Sequence, residues 1–331
     1  MSGHKSFSSL SRRGFILTAS MAGLPFDRAM AASGDYATFL AGVRREAEDK
    51  GVPASIVRRA LALTAEPNAK VIRLDHHQPE FSLTWAQYRD KVLSAAKVAA
   101  GKEAVKKNHS LFQEISSHYG VDVEGISGIW GLESFYGRIT GGFYIVDALA
   151  TLAFEGRRAS FFRSELMKAL QILGDGEIAP EEMKGSYAGA MGQPQFMPSA
   201  YLTYAQSFPA GGAKDIWNSV PDVLASIANY LARCGWKQGE PWGQEIQVPE
   251  ALPQADLGRK NERSLGAWMK AGVRRADGSA FARTDISGAV LRPDGAGGQA
   301  FMVYHNFNVF RRYNPSDFYA LAAGLLGNMT A

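Results

Sequence analysis

Gly128-Ile-Trp-Gly-Leu-Glu-Ser-Phe-Tyr-Gly137 is the stretch from which the rest of the chain is read. On helical spacing Ile126, Ile129, Trp130, Glu133 and Gly137 share one stripe, the i, i+3, i+4, i+7 pattern of a face turned to a core. A carboxylate on such a face is costly to ionise, so it tends to keep its proton, with a raised pKa. That is the state a general acid needs near neutral pH. Gly128, Gly131 and Gly137 each cost roughly 0.8–1 kcal/mol relative to alanine inside a helix, which points to close backbone approach. Taken alone, the stretch is equally a core helix whose glutamate caps or pairs with a neighbour.

Upstream, Ser11-Arg-Arg-Gly-Phe-Ile-Leu17 places two arginines before the apolar run 15–24, and Ala29-Met-Ala31 offers small residues at the spacing signal peptidase reads. Residues 1–31 are therefore expected to be a twin-arginine-type signal peptide, and the mature protein to be periplasmic. The run is shorter than the about 20 residues that span a bilayer, so no stable membrane insertion is expected. The only cysteine is Cys234, which leaves none to carry a lipid near the cleavage site or to form an internal disulfide. Of a formal net charge of +4, Lys5, Arg12, Arg13 and Arg28 against Asp27 account for +3. The mature chain thus lacks the basic stripe of a nucleic-acid binder, and a monomer is expected.

Along the chain the periodicity is helical. Tyr36, Phe39, Leu40 and Val43 share a face from Asp35 onward, and Pro53 opens a second helix carrying Ile56, Val57, Ala60 and Leu61. The pattern lapses from Asn68 to Leu83, predicting an extended loop. Adjacent His76 and His77 in it do not face one another on a helix and have no third ligand spaced nearby, so they read as a surface pair. Trp85 to Ala99 and Lys102 to Tyr119 predict two helices, the second ending at Gly120. Tyr88 falls where it either packs half-buried or reaches over a cleft. Asp147 to Phe154 and Ala159 to Leu173 predict core helices, with Arg157 and Arg158 between them as a carboxylate clamp or a solvated helix start.

Gly185-Ser-Tyr-Ala-Gly-Ala-Met-Gly-Gln-Pro-Gln-Phe-Met-Pro-Ser199 is apolar enough to be buried but too rich in glycine and proline to be one helix. Ser186, Gln193 and Gln195 within it suit a cleft floor that orients a polar substrate. Beyond Trp242 the character changes. Residues 245–248 alternate, 265–271 read as a short helix, 289–291 and 301–304 read as strands around the turn 294–298, and Ser316 caps a last helix through Leu326. The fold class is mainly α: a helical domain over 35–240, a small α+β lobe over 241–315, and a closing helix over 316–331 that packs back on the helical domain.

Set side by side, Gly131-Leu-Glu-Ser-Phe-Tyr-Gly137, Asp147-Ala-Leu-Ala-Thr-Leu152, Gly189-Ala-Met-Gly-Gln-Pro-Gln-Phe-Met-Pro198, Ala228-Asn-Tyr230 and Arg312-Tyr-Asn314 make the chain similar to the B-type lytic murein transglycosylases, from about Asp35 to the C-terminus. The resemblance implies a lysozyme-like helical catalytic domain acting on peptidoglycan glycan strands, without a cofactor. It implies that Glu133 is the acid and base, that Tyr88, Ser186, Gln195, Tyr230, Tyr313 and Asn314 line the cleft, and that Arg157 and Arg158 contact the peptide. Some members carry a calcium loop of alternating acidic and small residues after the Gln-Phe-Met-Pro stretch. Here that segment is Ser207-Phe-Pro-Ala-Gly-Gly-Ala-Lys-Asp215, so no metal is expected.

The implied mechanism uses one carboxylate where most glycosidases place two. Glu133 protonates the oxygen between N-acetylmuramic acid and N-acetylglucosamine, the sugar's own acetamido oxygen stabilises the developing charge, and Glu133 then takes the proton of the muramyl 6-hydroxyl as a 1,6-anhydro ring closes. Ser186 is expected to hold the acetamido group, and Tyr313 and Asn314 the sugar. Two alternatives stand beside this: a muramidase that admits water, and a cell-wall-binding scaffold with a dead site.

Overall fold

The computed structural model describes residues 33–76 and 83–331; the signal peptide expected over 1–31 and His77 lie outside the described residues. Helices α1 (Ser33–Asp49) and α2 (Ala54–Leu61) bury Tyr36, Val43, Val57 and Ala60, on the apolar faces that the spacing predicts. Where an extended loop is expected after Asn68, a helix forms, α3 (Ala69–His76). Asn68 is its N-cap. Its Oδ1 accepts from the amides of Lys70 (3.0 Å) and Val71 (3.2 Å), and its Nδ2 donates to Asp147 (2.7 Å). With only 8 residues, the helix is too short to declare a period.

The helix expected over 85–99 is likewise two, because short polar side chains compete for the backbone. Thr84 forms a capping box on α4 (Trp85–Val92), and Ser94 caps α5 (Ala95–Lys107). Asn108 divides the helix expected over 102–119: its Nδ2 donates to the Ala104 carbonyl (2.8 Å), and α6 (His109–Tyr119) starts beyond it. Gly120, at φ 65°, is the left-handed C-cap of α6. There follow α7 (Val123–Ser134), β1 (Phe143–Tyr144), α8 (Ile145–Glu155), α9 (Ala159–Gly174), β2 (Lys184–Gly185), α10 (Pro198–Tyr204) and α11 (Val220–Arg233). The chain continues through β3 (Gly243–Gln247), β4 (Arg263–Ser264), α12 (Leu265–Lys270), β5 (Arg274–Arg275), β6 (Ser287–Leu291), β7 (Ala300–Val303), α13 (His305–Tyr313) and α14 (Asp317–Thr330).

Two compact units result, one of residues 83–132 and 230–331, the other of 33–76 and 133–229. In the second unit α8 is buried from Ile145 through Ala153, so it is apolar nearly all round and acts as the central helix, with α9, α3, α1 and α2 against it. In the first unit a five-stranded antiparallel sheet, in the order β4-β6-β7-β3-β5, packs Ile246, Val290 and Met302 around the fully buried Trp268. The turn after β6 seats α4: Asp294 accepts from the amides of Trp85 (2.5 Å) and Ala86 (3.0 Å), at the end of the helix where a carboxylate is favoured.

The first unit's part of α7 meets α14 backbone to backbone. A Cβ on Gly128 would lie 2.1 Å from the Ala323 carbonyl oxygen, and one on Gly327 would lie 2.2 Å from that of Glu124. The Ser127 and Thr330 hydroxyls bond at 2.7 Å along the same contact. Gly128→Ala therefore gains about 1 kcal/mol of helix propensity but loses about 1–3 kcal/mol, or more, to overpacking against rigid backbone. Thermal melting should show a clear fall in Tm for Gly128→Ala. Gly212→Ala, at a position with no atom within 4 Å of the added carbon, should melt as wild type.

Candidate active site

Glu133 stands in the last turn of α7, at the foot of the stripe formed by the buried Ile126, Ile129 and Trp130. It is half-buried. The stripe stops with it. Gly137, placed on the same face by spacing, leaves the helix because Phe135 (φ 52°), Tyr136 (φ 56°) and Gly137 (φ 82°) are all left-handed. For the two aromatic residues this conformation is strained, at a cost of order 1–3 kcal/mol each. The turn is held by Ser134, whose Oγ accepts from the Gly137 amide (3.0 Å) and whose carbonyl accepts from the Ile139 amide (2.9 Å).

The Gly185–Pro198 segment is buried and irregular, as its composition predicts, and its backbone groups find partners within two nested turns. The Ser186 amide donates to Ala190 (2.8 Å), and Met191 and Phe196 exchange amide bonds at 2.8 and 3.0 Å. Gly185, Gly189 and Gly192 allow this, since added carbons there would fall 2.0 Å from Ala190 oxygen, 2.4 Å from Leu149 and 2.5 Å from Ile216 oxygen. The exit is fixed by Glu165 of α9, buried itself, which accepts from the Ser199 amide (2.9 Å) at the start of α10.

The polar side chains expected on this floor divide by task. Ser186 Oγ accepts from the Ala190 amide (3.0 Å), a bond that does not use its own proton. Gln195 is buried at φ 52°, and its Nε2 donates to the carbonyls of Thr140 (2.9 Å) and Gly192 (2.8 Å). It thereby ties the floor to the loop that follows Glu133. Gln193 ties the same floor to 216–217, its amide donating to Ile216 (2.9 Å) and its Nε2 to Trp217 (2.9 Å). Ser134 and Thr140 hold this loop through bonds that spacing does not reveal, because their partners are decided by the left-handed turn.

Arg157 and Arg158 converge on a carboxylate of the protein itself. Their guanidiniums donate to Asp75 Oδ2 (2.7 Å) and Oδ1 (2.9 Å), where Asp75 is buried at the end of α3. His76 is beside Glu155 (2.7 Å). In the other unit, Tyr230 and Tyr313 pack ring on ring with centroids 4.6 Å apart, and the Tyr230 hydroxyl donates to the Arg312 carbonyl (2.6 Å). Asn314 Oδ1 accepts from the Ser316 amide (3.1 Å), just ahead of the Ser316 cap of α14. Tyr88 is half-buried against Trp85 and Phe318, at centroid distances of 6.3 and 5.8 Å.

A family model described as a transglycosylase SLT domain matches residues 35–328. The chain belongs to this family, and it is a lytic transglycosylase acting on peptidoglycan. It is 35% identical over 249 residues to the membrane-bound lytic murein transglycosylase B of Escherichia coli strain K12, covering 75% of this chain and 67% of that one. SltB3 of Pseudomonas aeruginosa, solved in complex with NAG-anhNAM-pentapeptide, is 37% identical with a TM-score of 0.85 over 88% of this chain and 78% of its own. Slt35 of Escherichia coli, solved in complex with calcium, is 30% identical with a TM-score of 0.74 over 91% of this chain and 94% of its own. The fold is thus the expected lysozyme-like one, mainly helical with a small antiparallel lobe.

The calcium held by Slt35 does not fit the residues found here. Calcium takes six to eight oxygen ligands, but four side-chain oxygens in and beside this loop already receive N–H protons. Asp222 Oδ1 accepts from the Phe208 amide (2.9 Å) and Oδ2 from the Asp215 amide (2.8 Å). Asp215 Oδ1 accepts from Trp217 (3.0 Å) and Asn218 (2.9 Å), and Ser207 Oγ from Gly211 (3.2 Å). A cation is present in the form of Lys214, whose Nζ lies 2.9 Å from Glu177. Burial pushes the Glu177 carboxyl up, but the Lys214 amide and ammonium outweigh it and leave the pKa below the usual range. That contribution to stability is therefore present above the ordinary carboxylate pKa and is lost as pH falls through the lowered one. Among the described residues, ligand atoms of Asp75, His76 and Glu155 lie within 4.8 Å of one another, but two guanidiniums on Asp75 oppose a cation. Accordingly, Tm should be the same in millimolar calcium and in excess chelator, and Lys214→Ala should lower it in both.

Proposed function

We propose that Glu133 is the sole catalytic carboxylate and that the product is a 1,6-anhydromuropeptide. The observation that carries this is the commitment of the buried carboxylates. Asp75, Asp147, Glu165 and Asp222, the buried ones among the described residues, are each bound to arginine, asparagine or backbone amides, so none of these four supports the reading of a second, nucleophilic carboxylate. The Glu133 proton passes to the leaving N-acetylglucosamine oxygen as the bond to muramyl C1 breaks. The acetamido oxygen bonds to C1 from the opposite face. The muramyl O6 then displaces it and gives its proton to Glu133, which restores the acid without consuming water. Ser186 is proposed to donate its hydroxyl proton to the substrate, and Gln195 to position the loop. Tyr88, Tyr230, Tyr313 and Asn314 are proposed strand contacts on the family resemblance. Arg157 and Arg158, partly exposed and with N–H groups beyond those given to Asp75, are proposed to take a peptide carboxylate.

Glu133→Gln keeps the shape and removes the proton, so activity on purified sacculi should fall by about 10²–10⁴-fold or more with Tm unchanged or slightly raised. Mass spectrometry of the wild-type products should find each one water lighter than its hydrolysed counterpart. Reducing muramic acid ends would establish the muramidase instead.

We also propose that residues 1–31 direct export and that the mature protein works in the periplasm as a monomer. No helix among the described residues is long and apolar enough to cross a membrane. The intact mass of periplasmic protein should correspond to cleavage near Ala31; a full-length or acylated N-terminus would overturn this.

A further inference from the structure

A single exposed aliphatic side chain is ordinary on a protein surface. Ile139 is distinguished by how it is held. It is 63% exposed, and only Met329, at 42%, joins it among the exposed large hydrophobics of the described residues. Its amide is bound to the carbonyl of Ser134, the residue after Glu133, at 2.9 Å. The next carbonyl, that of Thr140, is held by Gln195 at 2.9 Å. The residue after that, Gly141 (φ 90°), is pressed so closely on the floor that an added carbon would lie 2.2 Å from the Gly185 oxygen. Arg138 folds away over the Phe135 ring at 5.4 Å. The backbone on both sides of Ile139 is therefore fixed to the segments that position Glu133 and Ser186, while strain at Phe135 and Tyr136 is spent to form the turn that displays it.

From this, and resting on the reading of Glu133 as the catalytic residue, we infer that Ile139 is a substrate-positioning residue that packs on an N-acetyl methyl group of the glycan strand. The chemistry selects the methyl. A glycan strand presents hydroxyls along most of its length, and its apolar surfaces are sugar ring faces and the methyls of acetyl and lactyl groups. Ring faces suit flat aromatic platforms, whereas a branched aliphatic chain fits a methyl group. Of the two methyl types, the acetyl belongs to every sugar of the strand. A rigid backbone makes the contact cheap, because little side-chain and loop entropy is lost on binding.

The test is binding, with Glu133→Gln as background so that the strand stays intact. Calorimetric titration with a soluble tetramer of alternating N-acetylglucosamine and N-acetylmuramic acid, and with its de-N-acetylated form, gives Kd for Glu133→Gln with and without Ile139→Ser. On the acetylated tetramer Ile139→Ser should raise Kd about tenfold, the scale of losing two or so buried methylenes. On the de-N-acetylated tetramer it should change Kd by less than twofold. Ile139→Val should restore most of the affinity, Met329→Ser should leave Kd as it was, and all variants should share one Tm. An unchanged Kd on the acetylated tetramer, or an equal rise on both ligands, would overturn the inference while leaving Glu133 untouched. Failure of the Glu133→Gln protein to bind the acetylated tetramer at all would overturn the substrate reading itself.

Discussion

The arrangement depends on the α7 helix stopping one residue after its glutamate. A carboxylate in mid-helix would be enclosed by its neighbours, and one in a loose loop would not be held in place. At the C-terminal turn Glu133 is carried by a buried stripe yet half open. Stopping there requires left-handed backbone at Phe135 and Tyr136, which the chain tolerates because Ser134 satisfies the amides of Gly137 and Ile139 at once.

The floor over 185–198 meets a second demand of the same kind. An irregular backbone in a dry place has to satisfy every polar group without a ladder to do it. Two nested turns accomplish this, and the glutamines complete it: Gln193 and Gln195 donate to carbonyls in 140, 192, 216 and 217. Polar residues that read as substrate contacts by composition thus have a structural task first. This is why the segment is both polar and buried. Such rigidity suits the catalytic role proposed for Glu133, because small displacements of reacting groups cost large factors in rate.

A metal and an ammonium can close a loop by related physics, since both supply positive charge to carboxylates. Here Lys214 neutralises Glu177 from within the chain, and the Asp222 carboxylate is occupied by two backbone amides. A similar economy appears at Asp75, where two arginines balance one buried carboxylate and join α3 to the start of α9. Removing one partner from such a group leaves a charge poorly solvated, which is what makes these contacts specific.

How much was legible follows from how local each determinant is. The period of Ile126, Ile129, Trp130 and Glu133 lies within one helix, so sequence by itself determined α7 and the face its glutamate stands on. The same holds for the buried α8, the strands β6 and β7, and the Ser316 cap of α14. Spacing carried Gly137 onto that stripe because it cannot register a helix end made by left-handed backbone. The helix at α3 and the breaks at Ser94 and Asn108 depended on single side chains capping the backbone, a signal without period. For Arg157 and Arg158, sequence left a carboxylate clamp and a solvated helix start open. Only the tertiary structure decided, because Asp75 lies some 80 residues away along the chain and arrives through packing of α3 on α8. The positioning tasks of Gln193 and Gln195 were decided the same way, since the carbonyls at 140, 216 and 217 come near only when the chain folds.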